Sequence, residues 1–258
     1  MAQAAAGVSP VGPHEETNHS MRAQTAVPAE AGPAETSFTV TSRPPFLTVG
    51  FAAPQRTLGW SLLHPGFAVV RDVVWVEVRN ADLGLATDAF ALLRAKLAEA
   101  GRPAALGLMT SRDIRKFELR RRTVDGIAAS CLATVGLSNA ERIGHRRGAR
   151  PHFGTINTLV HVDTPLADAA LVEAVSIVAE ARTAAVLEAK PIAAGAGVTG
   201  TGTDCIVVAC PCSSADDGPP AAWAGLHTAI GEAIGGAVYD AVRAGAEDWQ
   251  REFAGKLE

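Results

Sequence analysis

The chain has 258 residues, 48% of them hydrophobic and 19% charged, with a formal net charge of -4. That length and apolar fraction suffice for one large core, and the mild acidity argues against a general binder of nucleic acid or membrane surface, since both reward an excess of Lys and Arg. No run of about 18 uncharged apolar residues reads as a membrane span, so a soluble protein acting on a small molecule is expected.

Residues 1–37 are mostly Ala, Gly, Pro, Glu, Ser and Thr, with few large apolar side chains. Such a segment buries too little surface to offset the entropy of ordering it, so it reads as a disordered tail, with Met21 inside it as a second candidate start. It has no Lys or Arg before Arg22 and no continuous apolar stretch, and so lacks the plan of a secretory signal.

Strand signals begin at Phe38. Phe38 to Thr41, Phe46 to Phe51, Thr57 to Leu62 and Val69 to Val78 follow one another, and in the last Val74, Val76 and Val78 alternate with Trp75 and Glu77. Thr87 is placed to cap a helix running to Ala100, stopped by Gly101 and Pro103. Ala104 to Met109, Phe117 to Arg121, Ile127 to Val135 and Thr155 to Val162 are further strands. A polar, basic connection runs between Ser138 and Pro151.

Thr164 followed by Pro165 reads as an N-cap and first helical residue. The helix predicted from there ends near Ala189 and buries a stripe of Leu171, Val175, Val178, Ala181 and Ala185, with Glu173 and Glu180 projecting elsewhere. A Gly/Thr-rich loop over 193–203 leads into the apolar strand Cys205 to Cys210, and a last helix is predicted from Ala221 to Phe253. The pattern predicts an α+β (mixed α/β) fold, a single domain over 38–258 with a large, partly antiparallel sheet covered by long helices.

Four cysteines, Cys131, Cys205, Cys210 and Cys212, lie in or beside apolar runs, which suits reduced thiols and a cytoplasmic setting better than a disulfide framework. Cys210-Pro211-Cys212 lacks the two-residue spacing of a usual zinc pair, so no metal site is expected.

Three constellations could carry chemistry. Thr199-Gly200-Thr201-Gly202-Thr203-Asp204 enters the apolar strand directly. Glycines let backbone N–H groups approach a ligand, threonines add hydroxyls, and Asp204 stands at the rim of a buried strand. It lacks the Gly-Lys-Ser/Thr and following helix of a phosphate-binding loop, and a plain glycine-rich turn is the other reading. In Gly154-Thr155-Ile156-Asn157-Thr158, a strand would put Asn157, Leu159 and His161 on one face, so that an amide and an imidazole could converge. The other reading makes His161 a hydrogen-bonded core or edge histidine. On the last helix His227, Gly231 and Gly235 lie four apart with Gly236 following. Glycine in a helix costs about 1 kcal/mol, so close approach by a neighbouring helix, or by a planar ligand, is expected there. The basic groups Arg112, Arg115, Lys116, Arg120, Arg121, Arg122 and Arg142, His145, Arg146, Arg147, Arg150 read as solvated faces paired with acids.

Taken together, Leu106-Gly107-Leu108-Met109-Thr110 with Asp113, Thr134-Val135-Gly136-Leu137 with Asn139, Gly154-Thr155-Ile156-Asn157 and the Thr/Gly loop with Asp204 resemble the adenosylcobinamide amidohydrolase family, CbiZ. The helix carrying Glu180 and Ala181, the run Val207 to Pro211, and Ile230-Gly231-Glu232-Ala233-Ile234-Gly235 with Ala237-Val238-Tyr239 fall in the same order. The resemblance covers residues 46–245. It departs at Ser61-Leu62-Leu63-His64-Pro65-Gly66, where a small-residue Asn-Gly-Gly type lip is expected.

The resemblance implies corrinoid salvage: hydrolysis of the amide joining an aminopropanol arm to a corrin side chain, giving adenosylcobyric acid, with the corrinoid as substrate and no cofactor. Asp204, Asn157, His161 and Thr203 are then the expected catalytic residues. Contacts to the substrate are expected from Thr155, Gly200, Thr201, Gly202, Glu180 and His227. A variant has Thr201 or Thr203 exposed as an N-terminal nucleophile by self-cleavage. The competing readings are a non-catalytic corrinoid-binding or sensing protein of the same fold and an unrelated amidase. No nucleic acid or membrane partner is expected, and a homo-oligomer is possible on sequence grounds.

Overall fold

The computed structural model describes residues 37–84, 87–145, 154–214 and 218–254. The tail expected over 1–37 therefore lies, but for Ser37, outside the described residues, as do Arg146, Arg147 and Arg150. The elements in chain order are β1 (Phe38–Arg43), β2 (Phe46–Trp60), β3 (Pro65–Glu77), α1 (Ala89–Glu99), β4 (Leu106–Thr110), β5 (Glu118–Val124), β6 (Ile127–Val135), β7 (Ala140–Glu141), β8 (Ile156–Val162), α2 (Asp168–Ala189), β9 (Gly200–Thr201), β10 (Cys205–Pro211) and α3 (Ala229–Phe253). The fold is mixed α+β: three helices on one large sheet of eight strands, ordered β4-β3-β2-β10-β8-β6-β5 with β1 also on β2.

The expected strands Phe46 to Phe51 and Thr57 to Leu62 are one strand. β2 runs unbroken for 15 residues, and its pairing with β3 shifts register between Gly50 and Gln55. A shift of this kind bends and twists the strand. The first half of β2 pairs with β1 and the second half with β10, so the sheet folds over on itself. One apolar cluster fills the fold: Phe38, Leu47, Val49, Phe51, Trp75, Leu106 and Leu108 from one layer meet Leu132, Leu159, Val207 and Ala209 from the other.

Two parallel pairs, β3 with β4 and β8 with β10, are each joined through a helix, as parallel strands require. α1 covers the outer side of the first pair through Leu93 and Leu97, packed on Val74, Val76 and Ala105. α2 and α3 cover the second, against Ala129, Cys131, Val135, Ile156, Val160, Val162, Ile206 and Val208. β8 is buried over its whole length because its alternate residues serve two cores.

Three helix starts differ from expectation, each for a local reason. α1 is capped by Asp88, whose carboxylate accepts from the N–H groups of Phe90 and Ala91, and not by Thr87. Thr164 does not cap α2, because Pro165 to Ala167 runs extended beside Ala221, exchanging bonds through Ala167 N to Ala221 O and Ala221 N to Pro165 O. That same pairing keeps 221–228 out of α3, which begins at Ala229 with Thr228 accepting from the Gly231 N–H. His227 is therefore not on the helix. Of the stripe expected on α2, Leu171, Val178 and Ala185 are buried, while Val175 and Ala181 are half-buried and Ala170, Ala174, Ile177 and Val186 complete the buried face.

Five of the basic groups pair with acids, and Arg142 donates instead to Gly197 O. Arg112 is buried and bridges Asp248 and Glu252 of α3, Lys116 joins Glu252, and Arg115, Arg120 and Arg122 pair with Asp113, Glu118 and Asp240. The four cysteines are all free; Cys131 and Cys210 are buried, Cys205 is half-buried and Cys212 is exposed.

The helix glycines admit protein neighbours. A Cβ on Gly231 would fall 2.2 Å from the Gly225 carbonyl, one on Gly245 2.6 Å from Val135 Cγ2, and one on Gly235 at an ordinary 3.6 Å from Ile177 Cγ2. Backbone cannot move aside as a side-chain tip can. Gly231→Ala is expected to cost about 2 kcal/mol and lower Tm by about 4–8 °C, whereas Gly235→Ala gains up to about 1 kcal/mol from helix propensity. Thermal unfolding of the two variants by circular dichroism checks the contrast.

Candidate active site

Where the two layers of the sheet part, they leave an open cleft of about 580 Å³. Its walls come from the end of β2 and the turn after it (Trp60, Ser61, Leu62), from β4 (Gly107 to Thr110), from the approach to α1 (Leu83, Gly84, Thr87), and from Gly154, Thr155, Gly202, Thr203, Asp204 and Cys205. The end of the Thr/Gly segment and the residues just before β8 thus border one cleft, while Gly200 and Thr201 do not line it. Its size is that of a ligand site, and its walls are mainly apolar.

Asp204 fixes this corner. One carboxylate oxygen accepts from the Ile156 N–H at 2.9 Å and from the Thr201 hydroxyl. The other accepts from the Thr201 N–H at 2.9 Å and from Arg182 Nη1 of α2 at 2.9 Å. Four donors on two oxygens fill the acceptor capacity of a carboxylate. Burial pushes the Asp204 carboxyl above its ordinary pKa, and the Arg182 guanidinium and the Thr201 and Ile156 donors act against that shift. Gly200 is required here, since a Cβ would stand 2.6 Å from Asp204 Oδ2. The segment is held from outside as well: β9 pairs with β7, and Thr199 N donates to Glu141 O.

Thr155 and Thr203 link the two sides. Thr155 Oγ1 donates to Thr203 O at 2.8 Å and Thr203 Oγ1 to Gly154 O at 2.9 Å. Gly202 meets nothing within 4 Å at its Cβ position, so no protein neighbour requires glycine there.

Asn157 and His161 do share a face of β8, yet they do not converge on the cleft. Asn157 is fully buried behind its wall, and its amide donates to Met109 O at 2.7 Å, bolting one layer of the sheet to the other. His161 lies four residues, about 13 Å, further along the strand. It sits among Phe38 and Phe51, with Nε2 3.1 Å from Gln55 Oε1 and Nδ1 3.5 Å from Ser37 Oγ. The Gln55 amide nitrogen faces Ala53 O, so its oxygen is the acceptor and His161 Nε2 the donor. Glu180 is exposed, accepting from Ser176, and His227 is exposed on the segment before α3; neither lines the cleft.

Several cleft and clamp residues escaped the sequence reading, Arg182, Trp60 and Cys205 among them. Arg182 carried a signal, being the one Lys or Arg in the acidic helix α2. Trp60 and Cys205 carried none, because their place depends on the sheet folding over. Burial, and then Asp204, pushes the Cys205 thiol up to about 11, so it is protonated at neutral pH. Among the described residues no three His, Cys, Asp or Glu side chains come together as a metal site would need.

The model of the adenosylcobinamide amidohydrolase family, CbiZ, matches residues 32–254. The chain belongs to that family. No curated protein matches it. Among solved structures, the PH0078 protein from Pyrococcus horikoshii OT3 is similar at 12% identity, over 78% of this chain and 76% of that one, with a TM-score of 0.38. In this CbiZ chain three of the segments that carry the resemblance, 106–110, 154–157 and 199–204, border or back the cleft.

Burial holds the His161 pKa down at about 4, against 6.5 when exposed. The unfolded chain therefore binds a proton between those values that the folded chain refuses, and stability falls as pH drops through that window. His161 is expected to remove about 3 kcal/mol of unfolding free energy between pH 7 and pH 4. Urea unfolding at both pH values, with His161→Gln losing much less, checks this.

Proposed function

We propose that this chain hydrolyses the aminopropanol amide of adenosylcobinamide or a related cobamide, giving adenosylcobyric acid. The observation that carries the reading is the convergence, on one ligand-sized and mainly apolar cleft, of three segments that carry the family resemblance. Hydrolysis of an unactivated amide needs donors for the developing oxyanion, a nucleophile and a group to handle protons. The Gly202–Thr203 backbone borders the cleft beside the Thr203 and Thr155 hydroxyls. A substrate carbonyl laid on the unobstructed Gly202 would meet backbone N–H groups there, since the Thr155 and Thr203 hydroxyls already donate to backbone carbonyls.

Asp204 is the single carboxylate among the described cleft residues. Its raised proton affinity suits it to take the proton of an attacking water, once the rotatable Thr201 hydroxyl turns away from it, and to pass that proton to the departing amine, while Arg182 and the backbone donors hold it in place. Asn157 supports the wall from behind, and His161 acts in the core. The four free cysteines support a reducing, cytoplasmic setting, and no described helix is long and apolar enough to cross a membrane. The corrinoid is the substrate, and no further cofactor is invoked.

The altered turn Ser61 to Gly66 borders the cleft through Ser61 and Leu62, and it favours the second reading, a corrinoid sensor without catalysis. Incubation with adenosylcobinamide, following free aminopropanol by mass spectrometry, separates the two: release is expected, and binding without release supports the sensor. Asp204→Asn is expected to lower kcat about 10²-fold or more. The acid limb of kcat/KM is expected above the ordinary carboxylate range, since the base works deprotonated. Arg182→Met moves that limb to still higher pH, because the guanidinium favours the anion. A limb unmoved by Arg182→Met removes Asp204 from proton transfer.

A further inference from the structure

β2 ends at the mouth of the cleft with Trp60, a large apolar side chain that is nevertheless 44% exposed. It is held firmly. Its backbone pairs with Pro65 across the turn, and its indole N–H donates to Asp204 O at 2.7 Å. The preceding Gly59 lies so close to β10 that a Cβ would stand 2.4 Å from Ile206 O, so this end of β2 is pressed against its neighbour and cannot slide.

An indole has one polar atom, a donor. With that donor engaged by Asp204, Trp60 has only its ring surface to offer a ligand, and no aromatic ring among the described residues stacks on it. Leu62, 38% exposed, stands beside it, and Leu83 and Met109 continue the apolar wall. A fixed, half-open aromatic face at the entrance recognises a flat apolar surface and no polar group.

We infer that Trp60 is a specificity-determining residue that stacks on a flat face of the substrate, holding the ring system at the cleft mouth while the amide arm reaches Gly202 and Thr203. The inference rests on the corrinoid reading above. Two parts of that substrate have such a face: the corrin ring itself and the adenine of its axial adenosyl group.

Isothermal titration calorimetry of the whole chain with adenosylcobinamide and with hydroxocobinamide tests it, using wild type, Trp60→Ala and Trp60→Phe. Trp60→Ala is expected to weaken Kd about tenfold or more. Trp60→Phe, which keeps an aromatic face and loses the N–H, is expected to stay within about threefold of wild type. Loss with both ligands assigns the corrin ring to Trp60, and loss with the adenosyl form alone assigns the adenine. Trp60→Leu replaces the alanine variant should that one fail to fold. Wild-type affinity in Trp60→Ala or Trp60→Leu, or equal loss in the phenylalanine and alanine variants, overturns the inference while leaving the corrinoid reading intact. A wild-type chain that binds neither ligand overturns both.

Discussion

One carboxylate ties the cleft together. Asp204 accepts from the start of β8, from the Thr/Gly segment and from Arg182 on α2, three separate pieces of chain. Removing one partner of so buried a group leaves the other uncompensated, which costs several kcal/mol, whereas the intact cluster satisfies every oxygen. The corner is thus specified by hydrogen-bond geometry more than by apolar packing. Gly200 marks where the carboxylate lies against the backbone.

The second constraint is the fold in the sheet. Because β2 changes partner from β1 to β10 at its register shift, two layers form around a common apolar cluster. They close over most of their area and part at one edge. The Asn157 amide spans the layers just behind that edge by donating to Met109 O. A buried amide without a partner would cost about 1–3 kcal/mol, so this bond also fixes how far the layers can separate. The hydroxyls of Thr155 and Thr203 are bound in turn to backbone carbonyls, which leaves a floor with little freedom.

Much of this was legible beforehand. The strand from Ile127 to Val135 and the ends of the two long helices follow directly from apolar periodicity, and the motifs over 154–157 and 199–204 come together at one corner of a cleft. The helix starts were not legible. Pro165 to Ala167, just after Thr164, and Ala221 form an extended pairing between segments more than fifty residues apart, and no local cap signal can report a partner so distant. His161 shows the same limit: a strand places it on the face of Asn157, but only the folded chain reveals that this face is a core between layers and that the cleft opens two steps away.

The sequence by itself determined the class of fold, the family and the segments that build the cleft, because these depend on residue type, spacing and order along the chain. The tertiary structure alone decided which side chains meet. It set Arg182 against Asp204, withdrew Asn157 and His161 from the cleft, and brought Trp60 to its mouth. Contacts between distant segments depend on how the sheet bends, and a bend that begins in a register shift at Gly50 to Gln55 leaves no periodic trace in the residues it brings together.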